Sequence, residues 1–392
     1  MTRPLAATLA ALLLLGLAAC APTTPPPPAG VARLSPASFR DLPGWDGDRV
    51  AEAIPAISRS CARIGRLPDD RMLGPPAYGR AGDWRTACAA LPARPDEASA
   101  RAFLEAEFRP LALSDAGQAE GLFTGYYEPL LRGSRRPGGA FRTPLLARPD
   151  DMVAVELGQF REAWRGERLV GRVVDGALRP YESRAEIEAG ALAGRARPIA
   201  WVDDPVDAFF LQIQGSGRVA LAEGGEMRVG YAAQNGHGYV PVGRILAERG
   251  EISREQVSMQ SIRAWMARDA RAAQDLMNAN PSFVFFREIS GEGPIGSEGV
   301  ALVPGRSLAV DRSHVALGVP VWLDAQDPLD EARRVRRLLV AQDTGGAIRG
   351  VVRGDVFWGT GEEAAERAGR MRSRGRAWVL VPRDLAARAE GR

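Results

Sequence analysis

The chain has 392 residues, which is enough for two packed domains and a leader. Its 51 basic and 48 acidic residues nearly balance, and no basic block is interleaved with aromatic residues, so we expect no nucleic-acid partner. The 2 histidines exclude a metal site built from several histidines, and the 3 cysteines lack metal-ligand spacing. The composition therefore predicts an ordinary globular protein, and we expect it to use no metal and no cofactor.

The first 20 residues have the pattern of a lipoprotein signal peptide. Arg3 precedes an apolar run from Leu5 to Ala19 that is too short to span a bilayer. The small residues before Cys20 resemble the bacterial lipobox, so we expect Cys20 to become the lipidated first residue of the mature protein. An ordinary signal peptide that ends beside a cysteine is the alternative.

Residues 21–34 follow as a proline-rich tether that holds a domain away from a membrane. The residue after the cysteine is Ala21 rather than an aspartate. By resemblance to bacterial sorting signals, this indicates an outer-membrane lipoprotein that faces the periplasm of a Gram-negative cell.

The first stretch of the mature chain predicts a small helical cap. Apolar residues recur at helical spacing from Asp48 to Phe108, as in Val50 and Ile54. After export, Cys61 and Cys88 are the thiols left in the mature chain, and an oxidising periplasm favours a disulfide between them. Two buried free thiols are the alternative.

A strand with sugar-binding character is predicted near Leu122. The run LFTGYYEPLLRGS places hydroxyls and aromatic rings in one short segment. Aromatic faces cover the apolar side of a sugar ring while polar groups bind its hydroxyls. The candidate substrate contacts here are Thr124, Gly125, Tyr126 and Tyr127. A core strand with tyrosines at its edge is the alternative.

The middle of the chain predicts an antiparallel meander followed by helices. Residues from Ala208 to Gly236 alternate apolar and polar, with turns at Gly215 to Gly217 and at Gly224-Gly225. Uncharged polar groups in this stretch suit a carbohydrate better than a phosphate, and plain polar sheet surface is the alternative. These candidates are Gln214, Ser216, Gln234 and Asn235. Helices are predicted at Val242 to Arg249 and from the Ser253/Gln256 capping box onward, and a strand at Ser282 to Glu288.

The C-terminal part predicts short strands, and one hairpin among them carries two aspartates. Apolar runs flank a Gly345-Gly346 turn, so Asp343 and Asp355 are expected at the ends of this hairpin. Phe357 and Trp358 form an apolar sleeve around Asp355, which would raise its pKa and keep it protonated as a proton donor. A surface hairpin with a turn aspartate is the alternative. The other predicted elements are strands at Gly299 to Pro304, Leu308 to Asp311, Pro320 to Leu323 and Ala377 to Val381, and a helix from Glu362 to Arg374.

Two motifs with other chemistry fail on their context. Gly359 to Ala364 matches the dinucleotide fingerprint G-x-G-x-x-A, but the βαβ unit that the fingerprint requires is absent from the pattern. Gly215-Ser216-Gly217 lacks the G-x-S-x-G nucleophile elbow, and the two histidines assemble no convincing triad.

Several motifs occur together in an order that resembles a known family. Three aspartates recur in AVDRSHVALG, AQDTGGAIRG and RGDVFWGTG, which resembles the three-aspartate (3D) domain, and FTGYYEP, QIQGSGRV, GYAAQNGHGYVPVG and NPSFVFFRE precede them. With these motifs the chain resembles the membrane-bound lytic murein transglycosylase A family from about Leu122 to Pro382.

The resemblance implies a mainly β fold with a helical cap and a glycan-binding groove between two domains. A double-psi β-barrel domain would come from residues 35–130 and 290–392, and a second β-barrel domain would be inserted at residues 131–289. Ser282 and Phe283 join the groove candidates. The implied partners are peptidoglycan glycan strands, the outer membrane and proteins of the wall-synthesis machinery.

The resemblance also implies a reaction. An exolytic lyase of this kind cleaves the β-1,4 bond between N-acetylmuramic acid and N-acetylglucosamine and leaves a 1,6-anhydromuramoyl end. Because the muramoyl 6-hydroxyl is the nucleophile, one carboxyl group can act first as acid and then as base. Asp355 maps onto the family's catalytic aspartate, Asp343 onto a supporting one, and Asp311 onto one that we expect to be structural.

Two other functions are compatible with the same residues. An inverting hydrolase would use Asp343 and Asp355 with a water molecule between them. A wall-binding lipoprotein would use the groove without cutting. The segment between the two aspartates is about one residue longer than in the best-known family member, which leaves the hairpin register open.

Overall fold

The computed structural model describes residues 30–291 and 293–390. The predicted signal peptide, the lipidation candidate Cys20 and most of the predicted tether lie outside the described residues. The predicted end of the tether at residue 34 is wrong, because a strand that begins at Ala32 pairs with residues 111–115. Within the described ranges, the helices are all too short or too polar to cross a membrane.

Strands account for most of the regular structure. They are β1 Ala32–Pro36, β2 Phe108–Asp115, β3 Gly121–Glu128, β4 Leu130–Ser134, β5 Thr143–Leu146, β6 Val153–Glu156, β7 Arg168–Val174, β8 Ala177–Pro180, β9 Pro198–Val202, β10 Ser216–Leu221, β11 Glu226–Gln234, β12 Val284–Glu288, β13 Ser307–Val310, β14 Pro320–Gln326, β15 Arg334–Asp343, β16 Arg353–Thr360 and β17 Arg372–Pro382.

The helices cluster at three places along the chain. They are α1 Ile54–Ile64, α2 Arg85–Ala89, α3 Glu97–Glu107, α4 Arg184–Glu188, α5 Pro205–Gln214, α6 Val242–Glu248, α7 Met259–Met266, α8 Ala270–Asn278, α9 Glu362–Arg370 and α10 Arg383–Glu390.

Six strands close into a barrel in the order β17-β14-β15-β13-β16-β3, because β3 pairs with β17 as well as with β16. The β3–β16 and β13–β15 pairs are parallel. One barrel strand, β3, therefore comes from the chain before the insertion and the other five come from the chain after it. This arrangement confirms the predicted β-barrel fold built from two separated parts of the sequence.

The helical cap packs directly on the barrel. Arg306, which is only 4% exposed, forms an ion pair with Asp48 at 2.7 Å. Trp45 of the cap meets Trp322 of β14 edge-on, with ring centroids 5.2 Å apart. Within the cap, a disulfide joins the two cysteines that the sequence suggested, at positions 61 and 88. One hydrophobic core spans the cap and the barrel.

The inserted segment forms a second sheet in the order β12-β11-β10-β4-β9-β5. Its two ends meet where Ala147, just after β5, bridges Phe286 of β12. Glu128, at the end of β3, is buried between Arg218 and Arg228 of this second sheet, at 2.9 Å and 3.0 Å. A buried carboxylate with two arginine partners fixes the strand where it leaves the barrel.

The predicted strand from Ala208 to Gln214 is wrong, because these residues belong to α5. Asp204 caps the helix by accepting a hydrogen bond from the Val206 amide at 2.7 Å, and Pro205 occupies the first turn. Both are strong helix-start signals. Phe209, Phe210 and Leu211 are all buried, so the helix is apolar on several sides and the helical period is masked.

Smaller corrections concern element limits and one absent strand. The helix predicted from Ser253 starts later, at Met259, after a Ser258/Ser261 cap. The helix predicted to Arg374 ends at Arg370, and β17 begins at Arg372. Residues 299–304 contribute only an isolated bridge from Ala301, so the strand predicted there is wrong.

Candidate active site

Two aspartates come together on the barrel because β13 lies between their strands. Ala309 of β13 pairs with Asp343 of β15 on one side and with Asp355 of β16 on the other. The predicted hairpin is therefore wrong, since a third strand separates its two arms. Directly paired residues share a face of the sheet, so both carboxylates point to the same side, about two strand spacings or roughly 10 Å apart along the sheet.

A β-bulge at Gln342 turns Asp343 to this face. Leu308 is opposite Ala341 and Ala309 is opposite Asp343, so the pairing skips Gln342. Neighbouring residues of β13 face opposite sides, and their partners Ala341 and Asp343 must do the same. Regular alternation would instead have put Ala341 and Asp343 on one side, toward the barrel core.

The bulge is anchored to the helical cap. The Gln342 side chain is fully buried, and its Nε2 donates to the Ala56 carbonyl at 2.9 Å and to Ser60 Oγ at 3.0 Å. Its Oε1 accepts a hydrogen bond from Ser307 Oγ at 2.6 Å. Because every polar atom of this side chain has a partner, α1 and β13 together hold the bulge in place.

Glu298 lies in the same buried network. Ser60 Oγ donates to its Oε2 at 2.7 Å, and the Glu298 amide donates to the Gln342 carbonyl at 3.0 Å. The residue is 2% exposed, and among the described atoms its Oε1 has no hydrogen-bond partner. Burial raises the pKa of Glu298 to about 7, although Ser60, Arg63 and Gln342 act in the opposite direction.

Asp355 is held by its neighbour on the parallel strand β3. Thr124 pairs with it and donates from Oγ1 to Asp355 Oδ1 at 2.7 Å, while Arg353 Nη2 donates to Thr124 Oγ1 at 3.0 Å. Burial raises the pKa of Asp355, and the charge of Asp343 adds to this, whereas Arg353 and Thr124 oppose it. The residue keeps part of its surface exposed, so a carboxyl group with a raised pKa is in partial contact with solvent.

Asp343 has a different environment. Its Oδ1 accepts hydrogen bonds from the Ser297 amide, the Ser297 hydroxyl and the Thr344 amide, each at 2.8 Å. Its Oδ2 accepts one from the Tyr126 hydroxyl at 2.9 Å. Burial raises the pKa of Asp343, and the hydrogen bonds from Ser297, Thr344 and Tyr126 oppose that rise. Since backbone amides can only donate, these contacts favour the carboxylate form.

The wall between the two carboxylates is apolar. Tyr126 and Phe357 pair across β3 and β16 with ring centroids 5.2 Å apart, and Leu302, Ala309 and Ile348 complete the cluster. Burial, followed by the nearby charge of Asp343, raises the pKa of Tyr126 well above its ordinary value. The phenol therefore stays a hydrogen-bond donor.

Residues 122–287 match the MltA specific insert domain and residues 306–381 match the 3D domain. The chain is 35% identical over 281 residues to membrane-bound lytic murein transglycosylase A of Escherichia coli strain K12, an alignment that covers 68% of this chain and 69% of that protein. The chain belongs to the membrane-bound lytic murein transglycosylase A family. This confirms the resemblance inferred from the motifs.

Solved structures of the family have the same fold. A membrane-bound lytic murein transglycosylase from Agrobacterium tumefaciens superimposes with a TM-score of 0.81 at 34% identity, covering 91% of this chain and 99% of that one. MltA from E. coli with bound chitohexaose gives a TM-score of 0.62 at 27% identity, covering 91% of this chain and 93% of that one.

In this transglycosylase-family chain, Trp358 lies on the face of β16 opposite the aspartate. The guanidinium groups of Arg337 and Arg367 each lie 5.2 Å from its ring centroid. A side chain at Gly125 would place its Cβ 2.6 Å from Trp358 Nε1, so glycine is required there for packing. The expectation that Trp358 shields the carboxyl is wrong, because strand alternation puts only Phe357 on that side.

Asp311 has the contacts of a structural residue. It is nearly buried, and although burial favours its neutral form, hydrogen bonds from Ser313 and Gly350 hold its pKa below the ordinary value. Ser313 Oγ donates to its Oδ1 at 2.6 Å and the Gly350 amide donates to its Oδ2 at 2.9 Å. Asp311 thereby ties the end of β13 to the connection that precedes β16.

The groove candidates on either side of the domain junction are mostly buried. Tyr127 packs against Ala364 and Ala368 of α9, and its amide donates to Gln214 Oε1 at 3.0 Å. This bond joins the barrel to the end of α5. Ser216 is buried at the start of β10. These contacts connect the two domains.

The remaining groove candidates connect the end of β11 to the residues that precede β12. Asn235 donates to two backbone carbonyls, at 2.8 Å and 2.9 Å, and accepts a hydrogen bond from the Phe283 amide at 2.8 Å. Gln234 donates to Ser282 Oγ at 3.0 Å. The Phe283 ring is buried, and the guanidinium of Arg184 lies 5.2 Å from its centroid. Because their polar atoms are used within the protein, these residues support the insert.

Two site residues were missed by sequence reasoning. Ser297 sits on a loop without a recognisable motif, and this loop can approach β15 because a Cβ at Gly296 would lie 2.4 Å from the Gln342 carbonyl. Arg353 lies two residues before Asp355 on the same strand. Period-two alternation would have placed it on the same face as that aspartate, so this signal was available.

Proposed function

We propose that this protein is a lytic transglycosylase that cleaves the β-1,4 bond between N-acetylmuramic acid and N-acetylglucosamine in peptidoglycan and forms a 1,6-anhydromuramoyl end. One observation carries the proposal: Asp355 combines a raised pKa with an available oxygen. Thr124 occupies Oδ1, and no donor within residues 30–291 and 293–390 occupies Oδ2. A partly exposed carboxyl group whose protonated form is favoured by burial is what a general acid requires.

The reaction then needs one carboxyl group in two roles. Asp355 donates its proton to the glycosidic oxygen as the bond from that oxygen to the muramoyl C1 breaks, and the electron pair stays on the oxygen. The Asp355 carboxylate next takes the proton of the muramoyl 6-hydroxyl while that oxygen bonds to C1. Asp355 ends as the acid again, so no water is consumed.

We assign Asp343 to stabilising the positive charge that develops at the muramoyl ring. Its carboxylate is fixed by Ser297, Thr344 and Tyr126, which leaves little freedom to reorient during the reaction. The same contacts disfavour an inverting hydrolase. A base that activates water needs a free lone pair aimed at that water. Three donors saturate Oδ1, and the Tyr126 hydroxyl uses one of the two lone pairs of Oδ2, so a single lone pair of Asp343 remains for a water molecule.

Product analysis on purified sacculi tests the reaction. The wild-type protein should release muropeptides that mass spectrometry finds lighter by one water molecule than the hydrolysis products. Reducing-end products would establish the hydrolase instead. Binding to sacculi without release of soluble material would establish the wall-binding lipoprotein.

We further propose that Cys20 carries the lipid that anchors the protein to the outer membrane on its periplasmic side. The lipobox-like sequence and the proline-rich stretch after it support this, and the relatives are named as membrane-bound enzymes. The lipid would keep the enzyme close to the glycan strands and to the wall-synthesis proteins that we expect as partners.

Metabolic labelling with a fatty acid tests the anchor. We expect the wild-type protein to be labelled and to fractionate with the outer membrane, and the Cys20→Ser variant to lose the label. Equal labelling of both proteins would assign the lipid to another residue.

A further inference from the structure

We propose that Arg353 is a positioning residue that fixes the direction of the hydrogen bond between Thr124 and Asp355, and so keeps the acidic proton on Asp355 Oδ2. The proposal rests on the proposed function, in which Asp355 is the acid. It concerns three side chains joined in a row: Arg353 Nη2 to Thr124 Oγ1 at 3.0 Å, and Thr124 Oγ1 to Asp355 Oδ1 at 2.7 Å.

The direction follows from the chemistry of the groups. A guanidinium has donors and no acceptor, so the Thr124 oxygen must accept from Arg353. A hydroxyl has a single hydrogen, and the carboxyl oxygen Oδ1 is the other partner, so Thr124 donates to Oδ1. An oxygen that accepts this hydrogen bond is disfavoured as the carrier of the proton. The proton of the acid therefore resides on Oδ2, which the described side chains leave open.

The guanidinium itself is held firmly. Arg353 Nη1 donates to the Leu122 carbonyl at 3.3 Å and to the Gly354 carbonyl. These carbonyls belong to β3 and β16, the two strands that carry Thr124 and Asp355. A planar group bonded to both strands cannot rotate without breaking these contacts, so the donor that faces Thr124 is preorganised.

The row acts in both halves of the reaction. Before cleavage it directs the proton to Oδ2. After the proton leaves, the same hydrogen bond and the positive charge of Arg353 stabilise the Asp355 carboxylate, while nearby Asp343 destabilises it. The muramoyl hydroxyl proton is then taken by the same Oδ2, because Thr124 still occupies Oδ1.

The test uses the pH dependence of kcat/KM for full-length protein acting on purified peptidoglycan. The alkaline limb reports the loss of the proton from Asp355 in the free enzyme. Arg353→Met removes both donor and charge, and Thr124→Val removes the hydroxyl. We expect each variant to lose about 10- to 100-fold in rate and to move the alkaline limb to higher pH.

Conservative variants separate this role from a structural one. Thr124→Ser keeps the hydroxyl, so it should restore the wild-type limb and most of the rate. Arg353→Lys keeps the charge and a donor but loses the planar fork, so it should restore the limb and only part of the rate. The double variant Arg353→Met/Thr124→Val should lose less than the product of the two single losses, because both act through one row.

The outcomes are distinct. The proposal would be overturned if the single variants lose rate, unfold at the wild-type temperature and show an unmoved alkaline limb. It would also be overturned if the rate loss of the double variant equals the product of the two single losses. Unchanged rates in Arg353→Met would do so too. The identity of the wild-type product tests the proposed function separately, because it is measured without any variant.

Discussion

Asp355→Asn is expected to reduce the release of anhydromuropeptides from purified sacculi by about 10³-fold or more. The amide is nearly isosteric, and its oxygen can still accept the hydrogen bond from Thr124 Oγ1 that the carboxylate accepts at 2.7 Å. It has no acidic proton for the leaving oxygen and no carboxylate to take the proton of the 6-hydroxyl. Both halves of the reaction lose their proton carrier, whereas binding to sacculi should persist.

Thermal unfolding separates this loss of activity from misfolding. Burial raises the pKa of Asp355, so at neutral pH the fold disfavours its charged form. The neutral variant should therefore melt at the same temperature as the wild type or higher. Asp311→Asn is the contrasting control, since the low pKa of Asp311 means that the fold stabilises its charge, and this variant should melt lower. Retained activity in Asp355→Asn would remove this residue from the mechanism.

Glu298→Gln is expected to stabilise the protein at alkaline pH. In the unfolded chain this carboxyl ionises near the ordinary glutamate pKa of 4.5, while the folded protein resists ionisation until about pH 7. Below the pKa of the unfolded chain Glu298 is protonated in both states, and the free energy of unfolding has its full value. It falls as the pH rises from that pKa through the pKa of Glu298 in the folded protein. The difference in pKa corresponds to about 3 kcal/mol.

Urea unfolding between pH 5 and pH 8.5 measures this effect. The free energy of unfolding of Glu298→Gln should exceed that of the wild type by a margin that grows with pH and levels off above the folded pKa. Glu331, which is exposed, provides a control, and Glu331→Gln should leave the pH dependence unchanged. A constant difference between wild type and Glu298→Gln across the range would contradict the assignment.

The chemistry of the site was partly predictable from local patterns. Asp355 stands out in the sequence because Val356 and Phe357 place apolar residues around a lone acid, and strand alternation is a short-range rule that reads directly from the sequence. Phe357 lies in the wall beside the carboxyl, whereas Trp358 faces away. The sequence prediction placed both Phe357 and Trp358 around the carboxyl group, although neighbouring residues of a strand point to opposite sides.

The errors share one physical origin. The hairpin prediction is wrong because Ala309, more than thirty residues upstream in sequence, occupies the space between Asp343 and Asp355. Strand order depends on contacts between distant parts of the chain, and no local pattern reports it. The strand prediction over α5 is wrong for a related reason, since Phe209 and Phe210 are buried on several sides and show no amphipathic period.

By itself, the sequence determined the family and the barrel class and indicated Asp355 as the candidate acid, because the motifs behind these inferences are recognised from their order and local composition alone. Only the tertiary structure decided which groups surround Asp355 and Asp343. The bulge at Gln342 turns Asp343 to the face that carries Asp355, and the Ser297 amide donates to Asp343. Arg353 donates to Thr124, which donates to Asp355. Each of these joins different elements, and hydrogen-bond direction depends on which side chains the fold brings within about 3 Å of one another.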